Sequence, residues 1–299
     1  VSMVIPGMIS FMQKIKVKQG ISENTRGSFE IILVDDCSTD ETSRLLKNVN
    51  NIKVLINEKN QGFVESCNRG AKASKGKYLF FLNNDTILRE NWLEPLIETI
   101  EKDKVGAVGV KLVYPDGKLQ EAGGTIWKDA SSWNYGRYDD PDKPEYNFVR
   151  EVDYCSGAAL LIRRDLFEKF GGLDERFKPG YCEDVDLCFS IRSLGYKVLY
   201  QPKSVIIHFE GITCGTDITS GVKKYQEINK GKFLRKWSDV LEKEHYEPDS
   251  TNLFLARNRK KGKNILVIDH YVPTFDRDSG SYRMYNLLKI LTELEHKVT

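Results

Sequence analysis

The chain has no CxxC pair, no zinc-type spacing and no disulfide frame among its six cysteines, Cys37, Cys67, Cys155, Cys182, Cys188 and Cys214. In 299 residues that argues against a structural zinc module or a stapled mini-protein. The thiols are expected to be reduced, as in a cytoplasm. No apolar run approaches the ~18 residues that span a bilayer, and no secretory leader is visible. Charge is balanced as well: 45 Lys and Arg against 43 Asp and Glu leave a net +2, so no nucleic acid is expected as a partner. The basic run at 257–261 reads as a solvated linker rather than a phosphate or lipid contact.

What is present is a hydrophobic fraction of 40% and a charged fraction of 29%, enough for one large domain or two small ones. From residue 30 the pattern alternates. Apolar, β-branched runs at 30–34, 53–56, 77–82 and 105–110 read as strands, and 62–74 and 92–100 as helices. Ser38 with Glu41 has the spacing of a capping box opening a helix that carries Leu45, Leu46 and Val49 on one face. Strand-helix repetition at this spacing predicts a parallel sheet with helices on both faces. Residues 114–150 lack a period and read as loops and short strands over one edge. Further on, 158–162 reads as a strand, 183–194 as a helix stopped by Gly195, 196–207 as strand and 222–244 as a charged helix. Residues 248–263 read as a linker. An α/β pattern restarts at 264 with a strand and a helix over 282–294. Both ends of the chain fall inside apolar runs, and the segment is expected to belong to a longer protein.

Open parallel sheets bind ligands beyond the carboxyl ends of their strands. Two acidic groups fall there. Asp35 and Asp36 end one strand and can accept hydrogen bonds from a base or ribose. Asn83, Asn84 and Asp85 end another and suit a hard divalent cation, which takes one or two carboxylates and fills its remaining positions with phosphate oxygens and water. Each group alone is equally readable as a turn; their shared rim favours function. A third group, Glu183, Asp184 and Asp186, opens a helix. Acids there are stabilised by the macrodipole, but a placed carboxylate is also what an attacking hydroxyl needs as a general base. His208, at a strand end, is either structural or a metal ligand through a neutral ring nitrogen.

These elements in this order resemble the family 2 glycosyltransferases, particularly a rhamnosyltransferase-like branch. The matching stretches are FEIILVDDCSTDET (29–42), NEKNQGFVESCNRGAKASKGKYLFFLNNDT (57–86), CSGAALLIRRDLFEKFGGLDERF (155–177), EDVDLCFSIRSLGY (183–196) and VIIHFEG (205–211), covering roughly 21–215. The resemblance implies a GT-A fold, that is, a Rossmann-like, mainly parallel sheet flanked by helices. It implies that Pro6, Asp36, Asn60, Asn68, Asn84 and Asp85 face the nucleotide sugar, that Asp85 and His208 hold Mn²⁺ or Mg²⁺, and that Asp184 is the base. Glu183 would help place the acceptor, and Gly157 would let the backbone pass close to the sugars. Two departures stand out. Pro6 is not followed by the family's Pro-x-Tyr-Asn but by an altered stretch over 7–20, and Asn83 replaces the first acid of Asp-x-Asp. The segment 264–299 resembles the opening of a family 4, GT-B transferase.

The expectation is therefore a GT-A domain over 1–247, a linker over 248–263, and the start of a second transferase domain. The expected reaction is inverting transfer from a UDP- or dTDP-linked sugar to a hydroxyl of a glycan or lipid-linked glycan. The expected location is cytoplasmic, with peripheral association at the inner face of a membrane. Two other readings stand beside it. One is a glycan-binding scaffold impaired by the stretch 7–20. The other is a sugar nucleotidyltransferase, which would need a glycine-rich basic loop where only Gly7 and scattered lysines occur.

Overall fold

The computed structural model describes residues 1–7, 21, 23–25, 28–46, 49–210, 223–258, 263–294 and 296–298. Most of the altered stretch 7–20, Cys214 and much of the basic run 257–261 lie outside them. The chain divides into two compact units, Val1–Arg257 and Asn258–Thr299. The first unit runs β1 (Ser2–Gly7), β2 (Glu30–Asp35), α1 (Thr42–Leu46), β3 (Lys53–Ile56), α2 (Gly62–Ala73), β4 (Tyr78–Leu82), β5 (Thr86–Leu88), α3 (Glu94–Ile100) and β6 (Val105–Val113). It continues through β7 (Leu119–Glu121), β8 (Gly124–Ile126), β9 (Ser132–Asn134), β10 (Arg150–Glu151), β11 (Ala159–Arg163), α4 (Arg164–Lys169), α5 (Glu183–Ser193), β12 (Lys197–His208), α6 (Tyr225–Glu244) and α7 (Leu253–Arg257).

The sheet order is β10-β12-β6-β11-β4-β1-β2-β3, with β5 added on β12 and β7 on β6. Strands β4, β1, β2 and β3 pair in parallel, as do β6 and β12, while β11 runs antiparallel between β4 and β6. Every residue of β4 and β6 is buried, as expected for strands covered on both faces. Side chains of alternate residues feed two cores. Met3, Ile5, Phe80, Leu82, Val108 and Leu161 join Trp92 and Leu96 around α3. Val4, Leu79, Phe81, Leu160 and Ile162 join residues of α2, α4, α5 and α6. Helix α2 lies close on the sheet because Gly70 has no side chain: a Cβ there would sit 2.3 Å from a Val4 methyl.

Three local expectations are corrected. The capping box does not form. Ser38 donates instead to the buried Asp35 carboxylate, a group that needs a donor. Glu41 pairs with Arg44, and the chain enters α1 through a Thr42 N–H donated to the Asp40 carboxylate at 3.0 Å. Strand β6, expected to end at 110, runs on to Val113, and the buried Lys111 reaches Pro141 O at 2.9 Å and Asn147 Oδ1 at 2.5 Å. Residues 253–257, expected in a linker, form α7, whose Ala256 is buried in the first unit. Pro202 sits in β12 without breaking it, at the register shift between Gln201 and Val205, a position where proline is tolerated.

The second unit holds two short parallel strands, β13 (Asn264–Ile265) and β14 (Lys297–Val298), and helix α8 (Ser279–Glu293). The Asp278 carboxylate caps α8, accepting from the Ser281 N–H at 2.8 Å. No helix among the described residues is long and apolar enough to cross a membrane.

Candidate active site

The topology gathers the predicted residues on one rim. Strands β2, β4 and β12 end there, carrying Asp36, Asp85 and His208 just beyond or at their last residues. Antiparallel β11 begins there, and the Ala158 carbonyl before it accepts from the Asn83 N–H at 2.8 Å. The chain then turns back from Asp85 into β5, which pairs antiparallel with β12 in a register that sets Thr86 opposite His208. This register brings Asp85 to His208.

The two side chains meet at 3.2 Å, between Asp85 Oδ1 and His208 Nε2. Both residues are buried. The other ring nitrogen, Nδ1, lies 2.9 Å from Gln120 Oε1, an atom that can only accept. The Asn83 amide nitrogen, which can only donate, lies 3.4 Å from Nε2. Gln120 Oε1 therefore puts a proton on Nδ1, and Nε2 faces both the Asp85 carboxylate and the Asn83 amide. A carboxylate oxygen and an imidazole nitrogen this close are a ligand pair that a cation can bridge; carboxylate and imidazole suit Mn²⁺, and the carboxylate suits Mg²⁺. Beside them the buried Asn84 amide nitrogen has no partner. No group of three or more His, Cys, Asp or Glu poised for a metal occurs among the described residues. A cation here would thus draw most of its ligands from phosphate and water.

The acidic helix start faces the same rim. Before α5 the chain passes Tyr181 at φ 74° and Cys182 at φ 70°. Two consecutive non-glycine residues in the left-handed region are strained, and such strain clusters at functional sites. Asn229 of α6, fully buried, fastens this turn by donating to Phe177 O at 2.7 Å, Gly180 O at 2.8 Å and Tyr181 O at 3.2 Å. Asp184 emerges with Oδ2 accepting from the Gly157 N–H at 2.8 Å and Oδ1 from the Val185 N–H at 2.8 Å. Burial raises its carboxyl above the usual range, opposed by these two N–H groups. Gly157 is thereby placed against Asp184: a Cβ on it would lie 3.3 Å from the Asp184 Cβ.

Glu183 is buried with Oε2 unpartnered. Burial, and then the Asp184 charge, lift its carboxyl well above its ordinary value. Asp186 turns away and is tied to α6, accepting from Lys236 Nζ and Trp237 Nε1 at 2.7 and 2.8 Å.

The nucleotide-side residues divide by role. Asp36 is committed within the fold. Its Oδ1 accepts from Asn57 Nδ2 at 2.6 Å and the Gln61 N–H at 2.8 Å, and Oδ2 accepts from the Gly62 N–H at 2.8 Å. It sits at the positive end of α2, with little acceptor capacity left over. Asn60 is exposed and caps the same turn through Gly62 N–H at 3.1 Å. Asn68 grips the Leu173 backbone from both sides, donating to its carbonyl at 2.9 Å and accepting from its N–H at 2.7 Å. Pro6 is a buried residue of β1, opposite Val34.

Residues not singled out in the sequence complete the site. Gln120 holds the His208 ring. Its neighbour Glu121 is 1% exposed, accepts from the Ser156 N–H at 2.9 Å and leaves Oε2 unpartnered. Burial pushes its carboxyl up to about 8, with the Asp184 charge adding to the effect. Asn57 and Asn229 anchor the flanking turns. Gln120 and Glu121 lie in the stretch without a period, so only their polar character on a three-residue strand could have signalled them.

Residues 17–171 match the family model described as Glycosyl transferase family 2. An O-antigen biosynthesis protein of Myxococcus xanthus is 30% identical over 271 residues, covering 85% of this chain and 20% of the relative. Polypeptide N-acetylgalactosaminyltransferase 6 of Bos taurus is 24% identical over 252 residues, covering 78% of this chain and 40% of the relative. The chain thus spans less than half the length of these relatives. Among solved structures, GalNAc-T7 with UDP, GalNAc and Mn²⁺ superposes with a TM-score of 0.64 at 19% identity, covering 81% of this chain and 48% of that one. A mannosyltransferase of Pyrobaculum calidifontis in complex with GDP-Man and Mn²⁺ gives 0.56 at 15% identity, covering 81% and 67%. These likenesses show the GT-A fold, and the matched family model spans more than half of the chain, which belongs to glycosyl transferase family 2.

Proposed function

We propose that the first unit moves a sugar from a nucleoside diphosphate to a hydroxyl of a glycan acceptor, with inversion at the anomeric carbon. The observation that carries this reading is the pairing, on one rim, of a carboxylate with raised proton affinity and a buried carboxylate–imidazole pair. Asp184 takes the acceptor proton on a carboxylate lone pair not used by Gly157 or Val185. A base whose pKa moves towards the working pH transfers protons more effectively, and such a group contributes ~10²–10⁴ in rate. The acceptor oxygen forms its bond to the anomeric carbon as the bond to the diphosphate breaks on the opposite face. Asp85 and His208 would hold the divalent cation, which when bound neutralises charge on the departing diphosphate. Asp36 acts through the α2 start that it fixes, and Glu183, its carboxyl raised by burial and then by the Asp184 charge, lies beside the base.

A uridine or thymidine diphosphate donor is the favoured class, supported by the Mn²⁺ and UDP in the GalNAc-T7 structure. The unit Asn258–Thr299 is read, on its resemblance, as the opening of a second, GT-B transferase. Product analysis with a panel of UDP-, dTDP- and GDP-sugars and Mn²⁺, with NMR of the new anomeric centre, tests the reaction. Retention of configuration would overturn Asp184 as the base of a single displacement. Calorimetry showing no heat with any nucleoside diphosphate and Mn²⁺ would favour the scaffold reading.

A further inference from the structure

We infer that Gln120, oriented by Glu210, is a positioning residue that sets the tautomer of His208 and so makes its Nε2 available to a cation. This rests on the reading that Asp85 and His208 hold that cation. The chain of contacts is continuous. Glu210 accepts on Oε2 from Tyr114 Oη at 2.7 Å, Arg137 Nη2 at 2.8 Å and Gln120 Nε2 at 3.2 Å. Gln120 Oε1 accepts from His208 Nδ1 at 2.9 Å. His208 Nε2 faces Asp85 Oδ1 at 3.2 Å.

An amide has a donor end and an acceptor end, and the two orientations of Gln120 have opposite consequences. With Oε1 towards the ring, a proton is held on Nδ1, which leaves Nε2 as the nitrogen that can give its lone pair to a cation. With the amide reversed, its NH₂ would face Nδ1, drive the ring proton to Nε2 and occupy the coordinating position. A carboxylate only accepts. Glu210 therefore admits the NH₂ end of Gln120 and repels the oxygen end, selecting the first orientation. Glu210 is itself held in place by Arg137, whose guanidinium lies 5.9 Å from the Tyr114 ring centre and 5.1 Å from that of Tyr138. Those two rings stack at 5.2 Å and 8°. Gln120 is 2% exposed, so water competes little for its amide. Partners of this kind behind a ligating histidine fix its tautomer, and removing them costs roughly 10–100-fold in metal affinity.

The test uses the full chain and Mn²⁺, alone and with UDP, followed by calorimetry and by the electron paramagnetic resonance of free Mn²⁺. Q120L removes the acceptor at nearly constant size and is expected to weaken Mn²⁺ binding by roughly 10–100-fold. E210Q, which lets Gln120 reverse, is expected to give a smaller loss in the same direction; being at a less buried residue, it serves if Q120L fails to fold. Nitrogen-15 spectra of the four histidines, assigned with H208A, supply a readout that a merely structural role would not move. The His208 ring should be protonated at Nδ1 in the wild type and shift towards Nε2 protonation in both variants. Mn²⁺ affinity within twofold of wild type, or an unchanged His208 tautomer, in a folded Q120L or E210Q overturns the inference. H208A separates the two levels: if H208A binds Mn²⁺ as tightly as wild type, the cation reading itself fails. If H208A loses binding while Q120L and E210Q keep it, only the role of Gln120 fails.

Discussion

Glu121 is the group whose behaviour the structure constrains most sharply. It is buried on β7, bonded through one oxygen to Ser156 N–H, with the other oxygen unpartnered. Burial is the main cause and the Asp184 charge a further one in moving its carboxyl from 4.5 to about 8. A folded value raised above the unfolded one means the native state binds the extra proton between them, so stability falls as pH rises through that window. Each pH unit in the window costs about 1.4 kcal/mol, which over the interval from 4.5 to about 8 comes to about 5 kcal/mol at most. Glu121→Gln keeps the carbonyl acceptor for Ser156 and removes the titration. Its stability should match that of wild type near pH 5 and exceed it progressively to pH 8.5. Urea unfolding at a series of pH values measures this, read from tryptophan fluorescence, since Trp92, Trp127, Trp133 and Trp237 all lie in the first unit. Glu183 and Asp184, whose folded values are also raised, slope the same way in both proteins, so the difference between the two curves carries Glu121 together with its coupling to Asp184. Curves that stay parallel within about 1 kcal/mol from pH 5 to 8.5, against the expected 5, would refute a buried, protonated Glu121.

Three further outcomes are expected. Asp184→Asn should lower transfer by roughly 10²–10⁴ while Mn²⁺–UDP binding, followed by calorimetry, stays within twofold of wild type; a comparable loss of binding would place Asp184 on the donor side instead. Gly62→Ala should be destabilising well beyond Gly117→Ala: both glycines have positive φ, 84° and 88°, but a Cβ at 62 would lie 2.5 Å from the Pro179 Cβ, whereas at 117 it meets nothing. Equal melting temperatures for the two variants would contradict that packing. Asn68→Ala strips both hydrogen bonds from the Leu173 backbone and should cost about 1–3 kcal/mol in urea unfolding. A donor KM raised tenfold with little loss of stability would instead return Asn68 to the nucleotide site.

Strands and helices whose two faces are both apolar were legible because burial on both faces leaves continuous hydrophobic runs, as in 77–82 and 105–110. The direction of β11 was not, since an apolar run reads the same in either sense; only its register against Phe81 and Val108 reverses it. Ser38 and Asp36 show a second limit. Both carry the residue types of a cap and a ligand contact, and which partner each takes was decided by competition. Buried Asp35 claims the Ser38 hydroxyl, and the N–H groups opening α2 claim Asp36. Such contests turn on distances that spacing does not encode.

The least legible part of the site is also what joins its halves. Neighbouring residues on a strand point to opposite sides, and β7 uses this at two consecutive positions. Gln120 reaches the His208 ring. Glu121 reaches Ser156 N–H, one residue from the Gly157 N–H that holds Asp184. A slip of one residue in β7 would flip both side chains to the opposite face, taking Gln120 from the imidazole and Glu121 from the turn. The register that prevents this is set by Leu112 opposite Glu121 and Val113 opposite Leu119, across a bulge. The placement of Asp184 and His208 therefore depends on the pairing of a three-residue edge strand. That makes β7, more than any single acid on the rim, the element through which a distant change in the 114–150 segment would reach both Asp184 and His208 at once.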